Sequence, residues 1–153
     1  MTYQHTFQVQ APIERVLAFH QSSESLKAIT PSVFRMHGLR APLQLSEGDQ
    51  MAFTLWIGPL PVQWEARLEN FSEAGFDDVQ LKGPFAVWKH THRFQALDEG
   101  GTRITDRVEY RLRRHGVWGP VGFAMAMGLP LLFWFRAQKT KTLLERSIRP
   151  DVT

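Results

Sequence analysis

The chain has 153 residues, enough for one domain with a sizeable core, and 43% of them are hydrophobic. It contains no cysteine, which excludes a disulfide framework, a thiolate metal site and a cysteine nucleophile. The net charge of +3 is mild and is concentrated in Arg111, Arg113, Arg114 and residues 136–149. Because basic and acidic residues alternate along most predicted strands, the charges favour a solvated surface over a site for nucleic acid.

The first part of the chain predicts one strand followed by two short helices. Residues 3–10 alternate with period two, and the start MTYQHTFQV lacks the pattern of a signal peptide, so we expect a cytoplasmic protein. Pro12 suits a first helical turn, and residues 13, 16, 17 and 20 lie on one helix face. Ser22 or Ser23 can cap a second helix that ends near Ile29, before Pro31.

The middle of the chain predicts about six strands joined by short turns. A strand is expected over residues 33–39, and clean alternation follows over residues 51–57 and 62–69. Residues 76–82 form a further strand whose inward face stays open, because Asp78 and Gln80 share parity with Phe76. The turn DEGG then joins two strands, residues 88–96 and 104–112.

The stretch that organises the chain is residues 117–135, which contain no charged residue and precede a basic, helix-favouring tail. It is long enough to span a membrane, but its glycines and prolines interrupt it, and the apolar strand faces need a cover. Pro130 is expected to divide it into a short piece and a main helix over residues 129–146. The sequence thus predicts no stable membrane span and leaves open a transient membrane contact. Antiparallel strands followed by a helix indicate the α+β class, as a single domain over residues 1–153.

Four phrases resemble the SRPBCC superfamily, the group of START, birch-pollen-allergen and polyketide cyclase proteins, and its bacterial ligand-binding branch above all. They are PIERVLAFHQSSESLKAITP, GPFAVWKHTHRF, GTRITDRVEYRL and LLFWFRAQKTKTLLE. The resemblance implies a helix-grip fold, in which a curved antiparallel sheet of about seven strands wraps around a long C-terminal helix. It also implies a cavity for lipids, sterols, polyketides or other apolar molecules. It supplies no catalytic motif for this chain.

Polar residues on one apolar strand face are the candidates for chemistry. A three-residue loop after Leu97 would place His92 opposite Asp106, whereas a five-residue loop would place Phe94 there and His92 diagonally. If this face is a cavity wall, the Asp106 carboxylate can orient an imidazole, raise its pKa and support general acid–base catalysis. Hydrogen bonding between buried polar groups is the simpler interpretation. The His90-x-His92 pair with Asp106 has metal-ligand spacing, but this signal is weak, and we expect no metal and no other cofactor.

Three functions fit this sequence. The first is a monomeric or homodimeric protein that binds or carries an apolar small molecule or lipid. The second is an enzyme of the cyclase or dehydratase kind that uses His92 and Asp106. The third is a ligand-free interaction module whose own side chains fill the cavity. For the first, the predicted ligand-binding residues are Phe53, Leu55, Trp64, Ala66, Trp88, His90, His92, Phe94, Asp106, Val108, Tyr110 and Met125. The tryptophans at 64 and 88 face inward in the predicted strands, so no nucleic-acid partner is expected.

Overall fold

A computed structural model describes residues 1–146, within which one seven-stranded antiparallel sheet is accompanied by four helices. Part of the predicted basic tail, residues 147–149, lies outside the described residues. The elements in chain order are β1 Thr2–Val9, α1 Ile13–Gln21, α2 Ser23–Ala28, β2 Phe34–Arg40, β3 Gln50–Ile57, β4 Leu60–Ser72, β5 Gly75–Lys82, β6 Phe85–Ala96, β7 Thr102–Leu112, α3 Trp118–Met127 and α4 Leu129–Arg146. This architecture confirms the predicted α+β helix-grip fold.

The sheet follows the order β1-β7-β6-β5-β4-β3-β2, so strands 2 to 7 pair with their neighbours in sequence. The exception is β1, which pairs with β7 and places His5 opposite Asp106. Strands β1 and β2 therefore form opposite edges of the sheet, and the helices α1 and α2 connect them. Ser22 is the N-cap residue of α2, one of the two positions predicted, but its side chain makes no capping hydrogen bond.

The predicted division of the C-terminal segment is confirmed, with the break at Gly128. The axes of α3 and α4 differ by 51° across it. Helix α4 packs against the sheet through positions three or four residues apart, which is the spacing of one helix face. These buried positions are Leu129, Phe133, Ala137, Thr140 and Leu144. In residues 1–146 no single helix has the length and apolar composition to cross a membrane.

The core lies between the concave face of the sheet and α4. In β4 the predicted alternation is confirmed, because Val62, Trp64, Ala66 and Leu68 are all buried. Trp64 meets Trp88 edge to face with ring centroids 5.3 Å apart, which joins β4 to β6 across the sheet.

Strand β5 has an inward face that the sequence left open. Phe76 is buried and packs on His92 with ring centroids 4.6 Å apart, and Asp78 follows it on the same face. The strand starts at Gly75, whose φ is +132°. A Cβ at this position would lie 2.0 Å from the carbonyl oxygen of His92, so only glycine permits this approach of β5 to β6.

Candidate functional site

The hairpin of β6 and β7 positions the predicted polar residues. The backbone N–H of Leu97 donates to the carbonyl of Gly101 at 2.8 Å, which closes the shorter of the two predicted loops. His92 therefore lies opposite Asp106, and His90 lies opposite Val108. The three-residue-loop register is confirmed.

His90, His92 and Asp106, which we call the polar cluster, are all buried. The Nε2 of His90 lies 2.9 Å from Oδ1 of Asp106 and makes a hydrogen bond with it. The Nδ1 of His92 lies 3.0 Å from the same oxygen but is not aligned for a hydrogen bond, so this contact is electrostatic. Since the carboxylate is an acceptor, Nε2 of His90 carries the proton and donates it.

Burial determines the charge state of the two histidines. It lowers the pKa of His92 to about 4, with a contribution from neighbouring His90, and it also lowers the pKa of His90. For Asp106, burial would raise the pKa of the carboxyl, but the hydrogen bond from His90 and the proximity of His92 hold it well below its usual range. Asp106 does act to raise the pKa of both imidazoles, as expected, but desolvation outweighs this attraction and the net shift is downward.

Three further ionisable residues surround the polar cluster. His20 of α1 places its ring 5.6 Å from that of His92, and its Nδ1 donates to the carbonyl of Val16 at 2.8 Å. Burial lowers the pKa of His20 to about 4. Burial raises the pKa of Asp78 to about 6, and Oδ1 of Asp78 is buried without a hydrogen-bond partner.

Arg136 of α4 is the cation of this site. Within residues 1–146 its guanidinium makes no hydrogen bond or ion pair with the protein; its described contact is with the ring of Phe133, 5.8 Å away. Burial lowers the pKa of Arg136, and the nearby carboxylates of Asp106 and Asp78 oppose this effect. A guanidinium has five N–H donors, so Arg136 can still bind an acceptor group.

A cavity of about 480 Å³ lies between the sheet, α2 and the two C-terminal helices. This volume is within the usual range of about 300–1,000 Å³ for small-molecule sites. Its wall is apolar apart from Thr30 and a polar end formed by Asp78, His90 and Arg136. The apolar lining residues are Leu26, Phe34, Met36, Met51, Phe53, Leu55, Ile57, Leu60, Trp64, Trp88, Pro120, Val121, Ala124, Met125, Gly128, Leu129 and Leu132.

A second cavity of about 40 Å³ lies beside the first, under α1. His20 and His92 contribute to its wall, and Asp78, His90 and Arg136 line both cavities. Its size is sufficient for a water molecule, which needs about 10–15 Å³ and several polar partners. Asp78, His90 and Arg136 therefore form a partition between the large cavity and the small one.

The structure distributes the predicted ligand-binding residues over two environments. Six of them line the large cavity, namely Phe53, Leu55, Trp64, Trp88, His90 and Met125. The other six do not, namely Ala66, His92, Phe94, Asp106, Val108 and Tyr110. His92 reaches the small cavity only. His92 and Asp106 thus lie outside the large cavity, and Asp106 holds His90 of its wall through a hydrogen bond.

The polar cluster also has the composition of a metal site. One ligand atom from each of its three residues lies within 4.8 Å of the others. A cation there would have to replace the hydrogen bond between His90 and Asp106, and it would be close to the positive charge of Arg136.

Sequence reasoning missed three residues of this site: His20, Asp78 and Arg136. His20 was identified as part of the inward face of α1, and Asp78 shared parity with Phe76, so a signal existed for both. Arg136 lies one position before buried Ala137 and three after buried Phe133, which places it beside the buried face of α4.

The architecture is the helix-grip fold that the resemblance to the SRPBCC superfamily implied. No protein-family model and no curated protein sequence matches the chain. Several solved structures, however, are similar to it along nearly its whole length. The aromatase/cyclase Zhui from a Streptomyces species is similar with a TM-score of 0.81 and 16% identity, covering 99% of this chain and 98% of that one.

Two further structures share the fold. A START superfamily protein from Mycobacterium smegmatis has a TM-score of 0.71 and 14% identity, covering 95% of this chain and 97% of that one. Norcoclaurine synthase from Thalictrum flavum, in complex with dopamine and hydroxybenzaldehyde, has a TM-score of 0.72 and 13% identity, covering 95% and 87%. At these identities the comparisons establish the fold of this chain and not its ligand.

Proposed function

We propose that this protein binds an apolar small molecule or lipid in the large cavity and orients it by a polar group at the end formed by Asp78, His90 and Arg136. The observation that carries this proposal is the cavity itself. It is about 480 Å³ in volume, and nearly all of its wall is aliphatic or aromatic. Burial of apolar ligand surface against such a wall supplies the affinity, and the few polar groups supply the orientation.

The polar end indicates which functional group the ligand carries. Arg136 is half-buried and finds no acceptor among residues 1–146, so a carbonyl or similar oxygen of the ligand would satisfy it. Asp78 has an unpartnered buried oxygen that could accept a hydrogen bond from a ligand hydroxyl. An apolar body with an oxygen-bearing end therefore fits better than a pure hydrocarbon.

The two alternative functions have less support. An enzyme that uses His92 and Asp106 would need these residues to face the substrate, but neither lines the large cavity. The interaction module predicts that side chains fill the space between the sheet and the C-terminal helix, and about 480 Å³ is unfilled. The similar norcoclaurine synthase structure holds the small molecules dopamine and hydroxybenzaldehyde, which also favours a small-molecule ligand for this chain.

The test is a fluorescence titration with N-phenyl-1-naphthylamine, a neutral apolar dye that brightens when it leaves water. Met125→Trp adds bulk to a residue of the cavity wall, and we expect it to weaken dye binding by at least about tenfold. Val87→Trp adds bulk to an exposed residue of β6 outside the cavity and serves as the control, with affinity expected within about twofold of the unmodified chain. Equal affinities for both variants, or no binding of the dye to the unmodified chain, would contradict the proposal.

A further inference from the structure

The outward side of α3 and the first turns of α4 carries large apolar side chains. Phe123, Met127, Leu131 and Trp134 are between 55% and 71% exposed. They follow one another at intervals of three or four residues, so they form a continuous stripe across the break at Gly128. We call these four residues the apolar stripe. Contiguous exposed apolar patches of this kind mark interaction sites on soluble proteins.

Helix α3 carries large apolar residues on both sides, with Val121 and Met125 toward the cavity, whereas an ordinary surface helix has them on its inner side alone. Its buried residue is Gly122, where an added Cβ would come within 3.3 Å of Leu112 and within 3.7 Å of Phe85. Glycine thus seats the helix closely on the sheet, and large residues such as Phe123 and Met127 point away. Packing of the described domain does not account for this arrangement.

The charged residues close to the apolar stripe in sequence have one sign. Apart from Arg136, which lines the cavity, residues 110–144 contain five Lys or Arg residues and no Asp or Glu. Arg113 and Arg114, before α3, and Lys139, after the stripe, are exposed. A basic rim around exposed aromatic and aliphatic residues is complementary to an anionic bilayer, where each cation near the surface contributes about 1 kcal/mol. A second copy of this chain on the same face would bring like charges together, which disfavours a homodimer there.

The entrance to the large cavity adjoins the same surface. Pro120, Ala124 and Gly128 line the cavity and are also exposed to solvent. Each of them lies one or three residues from the nearer of Phe123 and Met127. A surface placed against α3 would therefore cover the cavity entrance.

From these observations we propose that the apolar stripe docks the protein onto an anionic lipid bilayer, so that the cavity opens toward the membrane interior. An apolar ligand could then move between cavity and bilayer without crossing water. The 51° bend between α3 and α4 suits a pair of helices that lies at the interface. The docking itself is independent of the proposed ligand-binding function, and the role of the entrance depends on it.

The test is co-sedimentation of the full chain with vesicles of phosphatidylcholine alone or with about one quarter phosphatidylglycerol. We expect binding to the anionic vesicles only, with a decrease of at least about tenfold when NaCl is raised from about 0.1 to 0.5 M. Leu131→Glu places a charge in the apolar stripe and should lower the partition coefficient by at least about tenfold. Arg114→Gln removes one rim charge and should lower it by about fivefold.

Leu43→Glu is the matched control, because Leu43 is 77% exposed but lies in the loop after β2. Its partition coefficient should stay within about twofold of the unmodified chain. An equal loss for Leu43→Glu and Leu131→Glu would overturn the proposal, as would equal binding to neutral vesicles. A dimer in light scattering that Leu131→Glu separates would assign the apolar stripe to self-association. Leu131 does not line the cavity, so unchanged dye binding by Leu131→Glu separates a failure of docking from a failure of the proposed function.

Discussion

The buried histidines should make the stability of the fold depend on pH. The pKa values of His20 and His92 are lowered to about 4 in the folded state, from an ordinary value of 6.5. Between pH 6.5 and 4 the unfolded chain therefore binds more protons at these two sites, and stability falls as the pH falls. Asp78 acts in the opposite direction, because its pKa is raised from 3.8 to about 6, and the folded state binds the extra proton there.

The magnitude follows from the balance of these protons. At pH 5 each of the two histidines is nearly fully protonated in the unfolded chain and nearly neutral in the folded one, whereas Asp78 is protonated mainly in the folded chain. The net difference is about one proton, which corresponds to a loss of about 1.4 kcal/mol for each pH unit below 6.5. His90 adds to the loss, since its pKa is lowered as well. Total stabilities of small domains are about 5–15 kcal/mol, so a drop to pH 4.5 should remove a large share.

Urea unfolding monitored by tryptophan fluorescence from pH 7.5 to 4.5 measures this dependence. Asp78→Asn removes the opposing group, so the slope should steepen to about two protons. His37→Ala replaces an exposed histidine and should leave the slope unchanged. A stability that is constant or increases between pH 6.5 and 5 would refute the reasoning that desolvation controls these histidines.

Further predictions concern ligand chemistry and the support of the site. The unmodified chain should bind 2-acetylnaphthalene about tenfold more tightly than 2-ethylnaphthalene, and Arg136→Met should abolish this preference, because the guanidinium donates to the ketone; equal affinities in the unmodified chain would contradict it. Asp106→Asn should lower the free energy of unfolding at pH 7 by about 1.5–3 kcal/mol, and a change below about 0.5 kcal/mol would rule out a structural role. Gly75→Ala should cost at least about 3 kcal/mol, against about 1 kcal/mol for Gly100→Ala, which also has positive φ but open space around it. Zn²⁺ at about 1 mM should leave the melting temperature unchanged, and a rise that requires the polar cluster would reveal a metal site.

Strand alternation was sufficient to predict the sheet and the pairing across the β6–β7 hairpin, because one face of each strand must be buried. Strand alternation could not decide between the two loop lengths, since both keep His92 and Asp106 on the same face. The inward face of β5 stayed open for a similar reason. The register of its pairing with β4 shifts twice, between Glu65 and Ala66 and between Glu69 and Ser72. Alternation of odd and even positions in the sequence does not reveal such shifts.

Arg136 was beyond sequence reasoning for a different reason. A cation near the end of an apolar segment ordinarily marks the point where a helix emerges into water. Whether this one points inward depends on the rotation of α4 about its axis, which is fixed by the packing of Phe133 and Ala137. The direction of the histidine pKa shifts likewise depends on the depth of burial, and residue spacing carries no information about depth.

The pairing of β1 with β7 has a consequence for how the protein is made. Of the seven strands, β1 is translated first, but β7, which completes its hydrogen bonds from Thr2 opposite Glu109 to Val9 opposite Thr102, is translated last. Until then β1 is an unpaired edge with an apolar side, and the closure of this long loop carries a large entropic cost. The nascent chain can build the meander from β2 to β7 first, and β1 can join only when the ribosome has passed the sheet. A chain that stops short of β7 would leave its first strand free to pair with other molecules.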